Sequence, residues 1–174
     1  MRVGVLTVSD GCYHGEREDV GGALIASWAE GRGAVVAARE VVPDEVPAIV
    51  RVLLSWCDDL GLDLVLTTGG TGLAPRDVTP EATRAVLERD APGIAEEVRR
   101  RGLGKTPLAV LSRGVAGTRG RSFVVNLPGS PGGVRDGLEA LGVWVDHVVA
   151  LVRGENPPHP HPSGEPPALR TTWS

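Results

Sequence analysis

One segment of the sequence restricts the fold more than any other: Asp63 to Ala82, which reads DLVLTTGGTGLAPRDVTPEA. Its apolar run, Leu64 to Thr68, has no polar alternation and so predicts a strand buried on both faces of a parallel sheet. Three glycines then occur within Gly69 to Gly72, where a backbone without Cβ atoms lets a ligand approach closely. Thr79 is the expected N-cap of the next helix and Pro80 its first residue. This order of strand, glycine turn and helix predicts a ligand site at the carboxyl end of the strand.

Predicted strands and helices alternate along the chain, which favours an α/β domain with right-handed crossovers. The fold class we predict has three layers, with a mostly parallel sheet flanked by helices. The predicted strands are Arg2 to Val8, Ala34 to Val42, Leu64 to Thr68, Leu108 to Ser112 and Ser122 to Asn126, with a helix from Pro80 to about Arg89 and a glycine-rich turn from Gly114 to Gly120. Prolines dominate from Gly154 onward, so we predict a folded domain at residues 1–153 and a Pro-rich C-terminal tail at 154–174.

Composition excludes several classes of partner. The formal net charge is −4, and four tryptophans, one tyrosine and one phenylalanine are too scattered for a base-stacking platform, so nucleic acid is not an expected partner. Cys12 and Cys57 lack metal-type spacing and are too few for a disulfide framework. The chain enters a strand at its N-terminus, and no apolar run is long enough to cross a bilayer. We therefore expect a cytoplasmic location and no membrane partner.

The sequence of the glycine loop allows several interpretations. It lacks the Lys-Ser/Thr ending of a P-loop. Pro75 stands where a dinucleotide fingerprint requires Gly or Ala, and the loop follows the third predicted strand rather than the first. What remains is a nest of N–H donors for phosphate or another anion, or a plain tight turn. We favour the anion site, because Arg76, Asp77 and the start of a helix follow at once.

Three aspartates and a second glycine loop also follow predicted strands. Asp77 is a candidate to bind hydrated Mg²⁺ between phosphate oxygens or to orient an attacking group, and its alternative is a turn residue paired with Arg76. Asp44, in a Pro-Asp-Glu sequence, is otherwise a helix N-cap. Asp10, in Ser-Asp-Gly, is otherwise ordinary turn chemistry. Pro128 to Ser130 either offers donors to a ligand or only ends a strand. All of these loops are expected along one edge of the sheet.

Together these loops resemble the molybdopterin-binding family of molybdenum cofactor biosynthesis, in its single-domain MogA/MoaB branch. The matching segments are Thr7 to Asp10, Pro43 to Glu45, Thr68 to Ala82 and Asn126 to Pro131. They span most of the chain from Arg2 to about Val152, and the long central motif is highly specific.

The resemblance implies a molybdopterin-binding fold and a molybdopterin adenylyltransferase, which moves AMP from ATP to the terminal phosphate of molybdopterin and releases pyrophosphate. It implies Mg²⁺ as cofactor, with Asp44 and Asp77 as catalytic and metal-binding residues. The substrate-binding residues that it implies are Ser9, Asp10, Gly69, Gly70, Thr71, Gly72, Arg76, Thr79, Asn126, Pro128, Gly129 and Ser130. It also implies a homotrimer or homohexamer and contact with the molybdenum-inserting protein.

Two other functions compete with the enzyme. A non-catalytic MoaB-type carrier or scaffold would bind molybdopterin without consuming ATP. A generic nucleotide-binding regulator would ignore pterins. The presence of both Asp44 and Asp77 favours the active transferase.

Overall fold

A six-stranded sheet runs through the centre of the structure, a computed structural model that describes residues 1–157. Its strands are β1 (Arg2–Val8), β2 (Val35–Val42), β3 (Leu64–Thr68), β4 (Arg89–Asp90), β5 (Ala116–Arg119) and β6 (Ser122–Leu127). They lie in the order β2-β1-β3-β6-β5-β4. The first four in that order are parallel, whereas β5 is antiparallel to β6 and β4 is antiparallel to β5. The sheet is therefore mostly parallel, as predicted.

Helices occupy most of the connections between the strands, and two more follow the last strand. They are α1 (Asp10–Tyr13), α2 (Val20–Gly31), α3 (Val46–Leu54), α4 (Thr79–Val86), α5 (Pro92–Leu103), α6 (Pro131–Leu141) and α7 (Val145–Val152). A π-helical turn at Ser55–Asp59 continues α3, and a 3₁₀ helix occupies Pro107–Leu111. Within residues 1–157, no helix combines the length and the apolar character needed to cross a bilayer.

Two separate cores lie on the two faces of the sheet. Val3 and Val5 of β1 pack with α2, α5, α6 and α7, whereas Leu6 and Val8 of the same strand pack with α3 and α4. Neighbouring strand residues face opposite sides of a sheet, and both sides are covered here, which explains why these strands are apolar without alternation. The three-layer prediction is confirmed.

The predicted strand at Leu108 to Ser112 is wrong, because this segment is the 3₁₀ helix. Thr106 caps it by accepting a hydrogen bond from the Leu108 N–H at 3.3 Å, and Pro107 is its first residue. Leu108 and Val110 remain 68% and 64% exposed. Apolar residues of these types form a strand only where they can pair with a sheet that buries them. This segment has no such position in the sheet.

A strand lies instead within the predicted glycine turn. β5 pairs with β4, and a Cβ on Gly117 would lie 2.3 Å from the carbonyl oxygen of Arg89, so only glycine permits this close pairing. The same pairing ends α4 at Val86, earlier than the predicted end near Arg89. Residues 158–174, which include most of the predicted Pro-rich tail, lie outside the described residues. The domain boundary at residue 153 stays a prediction.

Candidate functional site

The loops singled out in the sequence meet at one edge of the sheet. They follow four adjacent parallel strands, β1, β2, β3 and β6, whose carboxyl ends share that edge. Ser9 and Asp10 follow β1, Asp44 follows β2, and residues 69–77 follow β3. The loop at 128–130 follows β6. This is the edge at which open α/β sheets bind ligands.

The two glycine loops pack against each other through their backbones. Gly69 has a φ of 95°, and a Cβ there would lie 2.1 Å from the carbonyl oxygen of Val8. A Cβ on Gly129 would lie 3.1 Å from the Cα of Gly69. The Thr68 hydroxyl donates to the Pro128 carbonyl at 2.8 Å. The ends of β1, β3 and β6 are thereby joined by close backbone contacts and by the hydroxyl of Thr68.

Thr79 holds the first glycine loop rather than capping α4. Its hydroxyl donates to the Gly69 carbonyl at 2.8 Å, and its backbone N–H donates to the Gly70 carbonyl at 3.0 Å. The N-cap of α4 is Val78, which makes no side-chain capping bond, so the predicted cap at Thr79 is wrong. Thr79 is fully buried. Thr79 therefore holds the glycine loop from its buried side.

Asp10 and Asp44 bind each other's backbone. The Asp10 N–H donates to Asp44 Oδ2 at 2.8 Å, and the Asp44 N–H donates to Asp10 Oδ1 at 3.0 Å. Asp44 does not cap α3, whose N-cap is Glu45. Arg76 donates from Nε and Nη2 to the two carboxylate oxygens of Asp10, at 2.9 and 2.7 Å. Arg76 is thus the counter-ion of Asp10, and the predicted turn pair between Arg76 and Asp77 does not form.

Asp77 leaves one carboxylate oxygen free, and so does Asp44. Asp77 Oδ2 accepts the Ala74 N–H at 2.8 Å, and Asp44 Oδ2 accepts the Asp10 N–H. Neither Oδ1 accepts a hydrogen bond from another residue within 1–157. Asp44 Oδ1 lies 3.0 Å from the point where a Cβ on Gly70 would stand, so it faces the glycine loop.

The acidic groups affect one another's ionisation. Burial raises the pKa of Asp44, and the charges of Asp10 and Asp77 raise it further. The Arg76 guanidinium and the Asp44 N–H hold the pKa of Asp10 below its ordinary value. Asp44 is therefore the carboxylate whose negative charge is least favoured here, and a bound cation would relieve the repulsion around it.

Two clefts open on opposite sides of the glycine loops. The large cleft has a volume of about 680 Å³ and extends to α5, α6 and the 3₁₀ helix. The small cleft, of about 380 Å³, extends to α1 and the start of α2. Both are lined by Gly70, Asp77 and Gly129. Two ligands could thus be bound at once and meet at this shared rim.

The large cleft has a cationic and apolar wall that the sequence motifs did not reveal. Arg99, Lys105 and Arg135 line it, as do the exposed apolar side chains of Leu108 and Leu111. Lys105 is ion-paired with the buried carboxylate of Asp136. The N-terminus of α6 also faces this cleft, where Ser130 Oγ accepts the Gly133 N–H at 3.1 Å. Cations and a helix N-terminus together favour an anionic ligand.

The small cleft is lined by several carboxylates, Asp44 and Asp77 among them, and by one arginine. Asp44, Asp77 and Ser9 line it, and Ser9 Oγ caps α1 by accepting the Cys12 N–H at 3.3 Å. Arg17 also lines it, and its guanidinium makes no hydrogen bond or ion pair with another residue in the described part of the chain. Arg17 is therefore available to an anionic ligand, although no motif in the sequence marked it.

Asn126 lies beneath the site. Its side-chain amide donates to the hydroxyls of Thr67 and Thr83 at 2.9 and 3.0 Å, and its side-chain oxygen accepts the Val115 N–H at 3.1 Å. The residue is only 3% exposed. Asn126 thus fixes the floor of the site and does not reach either cleft.

Magnesium fits this arrangement only together with a substrate. Within residues 1–157, no group of three or more His, Cys, Asp or Glu side chains could hold a metal by itself. Mg²⁺ is usually bound by one or two carboxylates together with water and substrate phosphates. Asp44 and Asp77 each offer one free oxygen at the rim of the clefts, which suits an ion that arrives with a phosphate group.

We expect Asp44→Asn to change stability in a pH-dependent way. Folding raises the pKa of Asp44 above its ordinary value of 3.8, so the folded protein binds this proton more tightly than the unfolded chain does. That stabilisation is complete below the unfolded-state pKa and is lost as the pH rises through the folded-state pKa. Asparagine retains an acceptor for the Asp10 N–H without the charge. The variant should exceed the wild-type melting temperature by about 1–2 °C at neutral pH.

Calorimetric melting of both proteins between about pH 3 and pH 7 measures this difference. The difference in melting temperature between the variant and the wild type should shrink toward low pH. Asp59→Asn, at an exposed carboxylate outside the site, is the control. A gap that stays constant with pH would contradict the assignment.

This chain is similar in sequence and in fold to known proteins. A family model described as a probable molybdopterin binding domain matches residues 4–147. The molybdopterin adenylyltransferase of Helicobacter pylori strain J99 is 40% identical over 156 residues, which cover 88% of this chain and 89% of that protein. The molybdenum cofactor synthesis protein cinnamon of Drosophila melanogaster is 38% identical over 150 residues, which cover 86% of this chain but 25% of that longer protein. The crystal structure of the molybdopterin biosynthesis enzyme MoaB from Thermus thermophilus is 56% identical, with a TM-score of 0.84 over 88% of this chain and 97% of that one.

Proposed function

This chain belongs to the molybdopterin-binding domain family, as the sequence resemblance indicated, and we propose that it is a molybdopterin adenylyltransferase. In the proposed reaction, AMP passes from ATP to the terminal phosphate of molybdopterin, and pyrophosphate is released. The name of the Helicobacter pylori relative supports this proposal, because that relative matches nearly the whole chain.

The observation that carries the proposal is the pair of clefts that meet at one rim. A transferase must hold two substrates with their reacting phosphates adjacent, whereas a carrier needs one cleft. Gly70, Asp77 and Gly129 line both clefts here. A ligand in each cleft would place its phosphate groups at the same glycine loops.

The reaction needs positioning and charge stabilisation rather than a nucleophilic side chain. An oxygen of the molybdopterin phosphate forms the new bond to the α-phosphorus of ATP, and the bond from that phosphorus to the bridging oxygen of pyrophosphate breaks. Backbone N–H groups of the glycine loops and of the α6 N-terminus would donate to the phosphate oxygens. Arg17 and Arg135 would balance their charge, since neither guanidinium has an ionic partner within residues 1–157.

Asp44 and Asp77 would hold Mg²⁺, which supplies neutralisation of phosphate charge when it is bound. Arg76 would act on Asp10, and through it on Asp44, because its guanidinium is engaged with the Asp10 carboxylate. A trimeric or hexameric assembly, contact with the molybdenum-inserting protein and a cytoplasmic location stay predictions of the family resemblance.

Calorimetric titration with molybdopterin and with ATP and Mg²⁺, followed by mass spectrometry of the mixture, tests the proposal. We expect both ligands to bind and adenylylated molybdopterin and pyrophosphate to form. Binding of molybdopterin without ATP consumption would instead identify a carrier. Binding of nucleotide without molybdopterin would identify a regulator.

A further inference from the structure

Arg113, which no sequence motif marked, donates three hydrogen bonds to main-chain carbonyls of residues 71–77. Its Nε donates to the Gly72 carbonyl at 2.6 Å, and its Nη2 donates to the Asp77 carbonyl at 2.5 Å. Its Nη1 binds the carboxylate of Glu81 in the first turn of α4. Its backbone N–H donates to the Thr71 carbonyl at 2.8 Å. One residue therefore holds both ends of the segment 72–77.

These contacts place the guanidinium behind the loop. Arg113 binds main-chain carbonyl oxygens of the loop, and it lines neither the large nor the small cleft. It lines a third cavity, of about 470 Å³, which does not include the glycine loop. Arg113 is thus placed to act on a ligand only through the residues that it holds.

The segment that carries Arg113 is itself fixed. A Cβ on Gly114 would lie 3.1 Å from the Asn126 carbonyl, so this segment runs close against β6. Arg99 Nη1 donates to the carbonyls of Ser112 and Gly114, at 3.4 and 2.9 Å, on either side of Arg113. The backbone on both sides of Arg113 is therefore held in place, and from it the guanidinium reaches the glycine loop.

We infer that Arg113 is a positioning residue for adenylyl transfer, which sets the backbone at Gly72 and Asp77 and thereby aims the free oxygen of the Asp77 carboxylate at the shared rim. This inference rests on the proposed function. The planar guanidinium donates in three directions at once, which a lysine ammonium on a flexible stem cannot reproduce at the same atoms. Residues that orient metal ligands typically contribute about 10–100-fold to metal affinity or activity.

Arg113→Ala and Arg113→Lys test the inference, with Arg119→Ala as the matched control. Arg119 also makes three side-chain contacts, two to the Asp58 carboxylate and one to the Val86 carbonyl, but it lies on β5 away from the clefts. Both Arg113 variants should lower kcat by about 10–100-fold and raise the Mg²⁺ concentration for half-maximal rate. Arg119→Ala should lower the melting temperature without changing either kinetic quantity.

Amide hydrogen exchange supplies a readout that does not depend on turnover. Exchange in residues 70–77 should become about tenfold faster in Arg113→Ala and stay unchanged in Arg119→Ala. If Arg113→Ala changes only the melting temperature, as Arg119→Ala does, the inference is wrong. If the wild type transfers no AMP, the proposed function fails, and unchanged exchange in Arg113→Ala would overturn the positioning role separately.

Discussion

Asp77→Asn is expected to lower kcat for adenylyl transfer by about 10³-fold while molybdopterin binding is largely kept. The Asp77 Oδ2 accepts the Ala74 N–H at 2.8 Å, and asparagine can keep that bond through its own side-chain oxygen. The loop should therefore retain its shape. The variant loses the negative charge with which Asp77 would hold Mg²⁺, and an ion that neutralises phosphate charge contributes several kcal/mol to the transition state. Each 1.36 kcal/mol corresponds to a factor of about ten in rate.

Release of pyrophosphate and formation of adenylylated molybdopterin measure the rate, and calorimetry measures pterin binding. Asp59→Asn is the control, because it removes one exposed carboxylate outside the clefts. A variant at Asp77 that works as fast as the wild type would refute the metal-binding role. Equal losses of binding and rate would identify Asp77 as a pterin-binding residue instead.

The sheet was largely predictable because its central strands are buried on both faces. β1, β3 and β6 are short, mostly apolar segments that are buried along nearly their whole length, and such segments bounded by glycine or polar loops are typical of central strands in a parallel sheet. The 3₁₀ helix at Pro107–Leu111 was not predictable in the same way. Its residue types favour a strand, but no neighbouring strand is available to pair with it, and that depends on the whole topology.

The helix caps show what local patterns cannot specify. Asp44 and Thr79 have the residue types and positions of N-caps, yet both bind groups from other parts of the chain. Asp44 accepts the N–H of Asp10, which lies 34 residues away in sequence. A short polar side chain binds whichever donor or acceptor the fold brings near it, so sequence spacing alone did not decide between cap and cross-link.

The part of the candidate site that loops form could be predicted from the sequence. The part that side chains on helices form could not. Asp10, Asp44 and Asp77 lie in loops that follow parallel strands, and the sheet brings the carboxyl ends of those strands together. Arg99 and Arg135 lie on helices, where the packing of α5 and α6 decides which side chains face the cleft. Their neighbours in sequence form no motif, and only the three-dimensional structure identifies them as part of the wall.

Gly69→Ala is expected to destabilise the fold by about 3–4 kcal/mol and to abolish activity. Gly69 has a φ of 95°, a conformation that costs an L-residue about 1–2 kcal/mol. A Cβ there would also lie 2.1 Å from the Val8 carbonyl oxygen. The clashing atom belongs to the backbone of β1, so it cannot move without disturbing the central strand or the loop that carries the N–H donors.

Gly33→Ala separates these two costs. Gly33 has a similar φ of 73°, but nothing lies within 4 Å of the position that a Cβ would occupy. It should therefore lose only the conformational term, about 1–2 kcal/mol, and keep its activity. Urea denaturation of both variants, extrapolated linearly to water, measures the difference. Equal destabilisation of the two proteins would mean that the loop yields to the added methyl group. The backbone contact between β1 and the glycine loop would then not be what fixes the shape of that loop.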